Sequence, residues 1–179
     1  MQLIVFSGLP GTGKSSLAEA VSRRLGIPVY AKDVLEAAII RAGMTEQEDA
    51  RQQLGWAGYE LLTTLATRQL RFGQSAILDS VASTASIRKA WRALANTQGA
   101  EWRVVECVCS DAEMHRDRLE GRKRNVSGWK TTTWEEVERV RSYFTPWVEE
   151  HLTVDAMSTF GENIDQVLTY LSAEHAFAK

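Results

Sequence analysis

Gly8-Leu9-Pro10-Gly11-Thr12-Gly13-Lys14-Ser15 fits the spacing G-x-x-x-x-G-K-[ST]. An apolar run, Leu3-Ile4-Val5-Phe6, leads into it, and Leu17, Val21 and Leu25 recur every four residues after it. The first pattern reads as a strand and the second as one face of a helix. A glycine-rich turn in that context has its own chemistry. Gly8, Gly11 and Gly13 carry no Cβ, so backbone N–H groups can turn inward around an anion. The positive end of the helix starting near Lys14 points to the same place. Lys14 can reach β- and γ-phosphates there, and the Ser15 hydroxyl can ligate Mg²⁺. The stretch reads as a phosphate-binding P-loop; an ordinary Gly/Pro turn before a helix is the plain alternative.

Beyond it, strand and helix signals alternate to the end of the chain. Ile27–Tyr30 reads as a second strand, Ser75–Asp79 as a third, Glu101–Val108 as a fourth and Leu152–Asp155 as a fifth. Helical patterns separate them. One carries Val34, Leu35, Ala38 and Ile39, and a long one follows the capping-box signature Thr45-x-x-Glu48 as far as Gln69. Ser83 can cap a helix bearing Ile87, Trp91 and Leu94. Ser110-x-x-Glu113 and Thr133-x-x-Glu136 are further capping boxes, and Ile164, Val167, Leu168 and Leu171 form a last stripe. This alternation predicts an α/β fold, a parallel sheet with helices on both faces. Ligands of such sheets bind at the carboxyl ends of the strands, which is where Gly8, Asp33 and Asp79 fall.

A chain of 179 residues suffices for one domain that buries about 70% of its unfolded surface. The net charge of −2 supplies no global field for nucleic acid or an anionic membrane. No apolar run reaches the ~18 residues of a spanning helix. The start of the chain lacks the basic region of a signal peptide. The two cysteines, Cys107 and Cys109, fall on one face of the fourth strand by alternation, as reduced, buried small groups. The expectation is a cytoplasmic protein.

With the Gly8–Ser15 motif, Asp33, Asp79 and an arginine-rich loop, the chain resembles the small P-loop kinases. These include the shikimate and gluconate kinases, chloramphenicol phosphotransferases, zeta-toxin kinases and polynucleotide 5′-hydroxyl kinases. The resemblance implies a three-layer P-loop NTPase fold with a five-stranded parallel sheet in the order 2-3-1-4-5. It implies one domain over 1–179, with a substrate-binding helical segment at about 32–73 and a lid at about 118–133. It further implies ATP and Mg²⁺, and transfer of the γ-phosphoryl group to a hydroxyl. Gly8, Leu9, Pro10, Gly11, Thr12, Gly13, Lys14, Ser15 and Ser16 would then hold the nucleotide together with Arg118, Arg122 and Arg124. Asp155–Gly161 corresponds to the segment that wraps adenine in these kinases.

Asp33 matches the carboxylate that takes the acceptor's proton, an assistance worth about 10²–10⁴-fold. Asp33-x-x-Glu36 also reads as a helix cap with a helper glutamate. Lys32 beside it reads as exposed, with substrate orientation as the alternative. Asp79 ends an apolar strand as a Walker-B-like carboxylate does. It can serve magnesium, contact substrate or simply form a turn. Arg116, Arg118, Arg122, Lys123, Arg124 and Lys130 make the densest basic stretch. Arginines placed on a transferring phosphoryl group contribute about 10³–10⁵ in rate in other P-loop enzymes. Arg118 and Arg122, spaced i,i+4, share a helical face. The expected catalytic set is therefore Lys14, Asp33, Arg118 and Arg122, with Ser15 and Asp79 as metal ligands.

Trp129, Trp134, Tyr143, Phe144 and Trp147 read as core and lid packing rather than a stacking platform. His115, His151 and His175 have no metal-ligand spacing and read as surface residues. In the acceptor segment, Thr45 to Gln53 is polar, and Trp56 and Tyr59 follow. Arg41 and Arg51 are isolated, and no arginine pair suited to a carboxylate is evident. The expected partner is a small-molecule hydroxyl: a metabolite, a sugar or an antibiotic-like compound. A polynucleotide 5′-hydroxyl kinase would need a basic track for successive phosphates. Basic residues concentrate in the lid alone, which argues against nucleic acid. A regulatory nucleotide-binding NTPase is the other alternative, although the sequence has no N-K-x-D for guanine and no L-S-G-G-Q signature.

Overall fold

The computed structural model describes residues 1–43, 48–121 and 132–173, with side chains in the second span described from Gln53 onward. The strands are β1 (Gln2–Ser7), β2 (Val29–Ala31), β3 (Ala76–Asp79), β4 (Glu101–Val108) and β5 (Leu152–Asp155). The helices are α1 (Lys14–Leu25), α2 (Lys32–Arg41), α3 (Glu48–Arg71), α4 (Ala85–Thr97), α5 (Ala112–Glu120), α6 (Trp134–Tyr143) and α7 (Phe160–Ser172). All strand pairs are parallel, in the order β2-β3-β1-β4-β5. This is the parallel α/β sheet that the alternation predicts, in the strand order that the resemblance to the small P-loop kinases implies.

The apolar run of β1 explains its place. Leu3, Ile4, Val5 and Phe6 are all fully buried. Leu3 and Val5 face one layer, with Leu62, Ala66, Leu78, Trp91 and Val104. Ile4 and Phe6 face the other, with Leu17, Val21, Ile77, Val105 and Val167. A strand covered on both faces has no polar side, so its residues read as a run rather than an alternation. Each such side chain contributes about 1.5–3 kcal/mol through burial. The glycine-rich turn thus hangs on the central strand, covered on both faces.

Helix starts follow local chemistry, with some shifts. Thr133 and Thr159 form complete capping boxes with Glu136 and Glu162. The cap of α5 is Asp111 rather than Ser110; its carboxylate accepts the Met114 N–H at 2.8 Å. The cap position of α4 is Thr84, and Ser83 before it is buried. Thr45 lies outside the described residues. The two cysteines do not share a strand face, because β4 stops at Val108 and Cys109 lies past its end. Both are free thiols, Cys107 buried and Cys109 half-buried. No described helix is long and apolar enough to cross a membrane.

Candidate active site

Residues 8–13 leave β1 with Gly8, Gly11 and Gly13 at φ 141°, 93° and 85°. A Cβ on Gly8 would overlap the Cys107 carbonyl oxygen, and one on Gly11 would meet the His115 ring at 3.1 Å. Only glycine fits both the dihedral and the space. Thr12 braces the turn, its Oγ1 donating to the Leu9 carbonyl at 2.9 Å. Gly13 is the cap position of α1, no side chain caps the helix, and its first turn holds no acidic residue. Its leading N–H groups are therefore left to an anion. The Lys14 side chain is drawn in, at 5% residue exposure. Ser15 is half-buried and Ser16 exposed in the same turn.

The two predicted carboxylates stand at neighbouring strand ends. Asp79 pairs in register with Phe6 on one side and with Ala31 on the other. Asp33 follows Ala31 by two residues, in the first turn of α2, and is half-buried. The cap of α2 is Ala31, without a side-chain cap bond, so the Asp33-Glu36 capping alternative is not what forms. Glu36 instead pairs with Lys32 at i,i+4 in a near-buried ion pair. Lys32 is thus not a free surface cation. Its ammonium lies 4.7 Å from the Tyr59 ring centroid. Burial holds the Glu36 carboxyl above its ordinary range, with Lys32 pulling the other way. Burial, then the charge of Glu36, pushes the Tyr59 hydroxyl up to about 12, and that hydroxyl meets the Ala82 backbone and the Ser83 side chain.

Across the turn, a cavity of about 200 Å³ opens between Gly13, Ser16, Arg118, Ala156, Phe160 and Asn163. It joins the first turn of α1 to the segment after β5. Arg118 Nη2 donates to the Ala156 carbonyl at 2.7 Å, which fixes the guanidinium on this wall. Asn163 Nδ2 donates to the Asp155 carbonyl at 2.8 Å and pins the same segment from below. The shape and position suit a nucleoside base, with an arginine face and the Phe160 ring at its rim. Arg122, Lys123, Arg124, Lys130 and Trp129 lie outside the described residues, so the predicted pair of Arg118 with Arg122 is described at Arg118 alone.

His115 corrects the surface reading. It is 1% exposed, its Nε2 lies 2.8 Å from the Pro10 carbonyl, and its ring meets Trp134 edge-on at 5.2 Å. It supports the phosphate turn from beneath and ties it to the start of α6. A signal was present: His115 and Leu119 share a helical face, and both are buried. His151 is partly buried, its Nε2 3.3 Å from Glu106; His175 lies outside the described residues. Trp147 is buried and Phe144 packs on the core, as the packing reading expects.

A magnesium ion suits the donors present. Ser15 and Asp79 offer a hydroxyl and a carboxylate, hard oxygen ligands of the kind Mg²⁺ takes one or two at a time beside phosphate oxygens and water. Among the described residues, no cluster of three or more His, Cys, Asp or Glu forms a metal cage.

Residues 3–147 match a protein-family model described as an AAA domain. No curated protein matches the sequence significantly. Solved structures do. A kinase-like protein from Chloroflexus aurantiacus superposes with a TM-score of 0.76 at 21% identity, over 96% of this chain and 98% of that one. A gluconokinase from Sinorhizobium meliloti gives 0.69 at 19% identity, over 96% and 91%. The Mycobacterium tuberculosis APS kinase CysC, in complex with AMPPNP and APS, gives 0.63 at 21%, over 96% and 98%. A family match of that length, on a chain with this strand order and this turn after its first strand, makes the protein a member of the AAA domain family, with the fold of the small P-loop kinases.

Proposed function

We propose that the protein transfers the γ-phosphoryl group of ATP to a hydroxyl of a small molecule. One observation carries the reading: an uncapped helix start and a drawn-in Lys14 lie at the end of β1, and β3, the strand beside it, ends in Asp79. Backbone N–H groups and Lys14 position the phosphates and absorb charge as it spreads over the transferring group. Asp33, held at the next strand end, accepts the proton of the attacking hydroxyl. Arg118 walls the base. Ser15 and Asp79 would hold Mg²⁺, which when bound neutralises charge across the β- and γ-phosphates. The structural likeness to an APS kinase that binds AMPPNP supports ATP as donor. The protein works as one domain, in the cytoplasm, with residues 32–73 on the acceptor side; most of the expected lid, 118–133, lies outside the described residues.

The acceptor side favours a neutral alcohol with an apolar body. A cavity of about 380 Å³ between α3 and α4 is lined by Gly55, Trp56, Tyr59, Thr84, Ser86 and Ile87. Trp56 is 68% exposed there, and Thr84 and Ser86 add hydroxyls. Tyr59 links this groove to Ala82 and Ser83, just past Asp79. None of these lining side chains is charged, so an anionic acceptor finds no partner on this wall. The test is a panel of sugar acids, neutral sugars and aromatic alcohols incubated with γ-labelled ATP, with products weighed by mass spectrometry. Phosphate on a neutral, ring-bearing alcohol is expected. A protein that fails to bind MgATP at all would sink the proposal.

A further inference from the structure

Ser80 to Thr84, between β3 and α4, forms no helix or strand, yet it is held from several directions. The Ser80 N–H donates to the Phe6 carbonyl at 3.2 Å, and Ser7 Oγ donates to the Val81 carbonyl at 2.8 Å. Arg88 Nε donates to the Ala82 carbonyl at 2.7 Å, and the Thr145 N–H donates to the Ser83 carbonyl at 2.9 Å. Within this net Ala82 sits at φ 47°, alone among the described non-glycine residues in the left-handed region. Alanine occupies that region only where its surroundings over-determine the backbone.

Arg88 is the part of those surroundings that joins the most pieces. It is 3% exposed. Its guanidinium lies 3.8 Å from the Trp147 ring centroid and 4.9 Å from that of Phe144, and Nη1 donates to the Pro146 carbonyl at 3.2 Å. Trp147 Nε1–H donates in turn to Ser7 Oγ at 3.2 Å, which closes a circuit back to Val81. Packing alone does not require a charge here. A methionine would fill similar volume without the desolvation cost of a buried guanidinium. What a planar fork adds is fixed geometry to several neighbours at once.

We propose that Arg88 is a positioning residue: it clasps the strained Ser80–Ser83 segment to the chain that follows α6, and so fixes Asp79 and the Ser7–Gly8 step into the phosphate turn. Its consequence for catalysis rests on the phosphotransfer reading; its structural consequence does not.

The test uses the full chain with Arg88→Met, Arg88→Lys and Arg88→Met combined with Ala82→Gly. Hydrogen–deuterium exchange without nucleotide comes first. Residues 80–84 and 144–148 should lose protection together, by about tenfold or more, while α1 and α7 keep theirs. Turnover of MgATP, with water as acceptor, should fall about 10²-fold, the scale of an ångström misplacement, with affinity for a fluorescent ATP analogue little changed. Ala82→Gly, which removes the strain the clasp opposes, should recover about tenfold of that loss. Uniform loss of protection across the protein, turnover that falls only in step with the folded fraction, or no recovery from Ala82→Gly would overturn the proposal. Should the unaltered protein bind no MgATP, the phosphotransfer reading fails; should it merely not pass phosphate to water, that reading stands, and in either case the exchange experiment decides alone: paired loss supports the clasp, unpaired loss overturns it.

Discussion

Replacing Gly8 by alanine puts a methyl group into the Cys107 carbonyl oxygen and 3.0 Å from Thr12 Oγ1, at a φ of +141°. The carbonyl cannot retreat, because β4 is held between β1 and β5. Overpacking of this kind costs about 1–3 kcal/mol. The backbone conformation adds about 1–3 kcal/mol for a residue with a Cβ. Gly8→Ala should therefore lose about 2–6 kcal/mol, a large share of the 5–15 kcal/mol typical of a domain. Gly13→Ala is the internal control. Its φ is +85°, but nothing lies within 4 Å of the new Cβ. It should lose only the backbone part, about 1–2 kcal/mol. Urea unfolding followed by far-UV circular dichroism reads the difference. At the middle of these ranges, and with a slope of about 2 kcal/mol per molar, the two midpoints should stand roughly 1 M apart. Coincident midpoints would refute the reasoning, because they would mean that the close approach of the turn to β4 carries no energy.

Four other outcomes are expected. Lys14→Ala should remove nucleotide turnover, whereas Asp33→Asn should keep nucleotide affinity and lose about 10²–10⁴-fold in transfer; unchanged transfer would leave Asp33 without a role as base. Lys32→Met strands Glu36, whose carboxyl burial already raises. A carboxyl raised in the folded state binds more protons folded than unfolded, so its burden grows as pH climbs from the ordinary carboxylate range through the folded value. The variant should lose about 3–5 kcal/mol at pH 8 and less at pH 5, by urea melts at both. Maleimide at pH 8 should label half-buried Cys109 before Cys107, whose thiol burial pushes up to about 12; mass spectrometry of digested protein reads the order.

Much of this architecture is legible in the chain because its signals are local. The strand-turn-helix around Gly8 to Ser15 needs only its own residues to be read; the first and third strands announce themselves as short apolar runs, and the fourth by its β-forming residues. That both faces of the sheet are covered follows from the apolar run Leu3–Phe6 inside β1. What escaped depends on partners distant in sequence. His115 lies under Pro10, more than a hundred residues away, and no spacing rule reports that contact. Lys32 looks like a surface cation until α3 brings Tyr59 over it and Gly58 makes room for Glu36. Cap residues misplaced by one, Ser110 for Asp111 and Ser83 for Thr84, show the limit of motif reading where several polar residues stand in line. The groove beside Trp56 requires α3 and α4 to be seen together.

β2 is a three-residue edge strand that pairs with β3 alone, and the segment up to α3 hangs from it. From Tyr59 onward α3 packs on the core, but Trp56, three residues earlier, is 68% exposed. The glycine-rich turn leaves the central strand β1, while α2 follows a short ladder at the border of the sheet. On the proposed reading, the residues between Glu36 and Gly58 are therefore the ones to exchange, like a tool head on a common handle, because Asp33 stays behind with the donor side. A chimaera cut at those two points is the place to begin redesigning what the protein accepts.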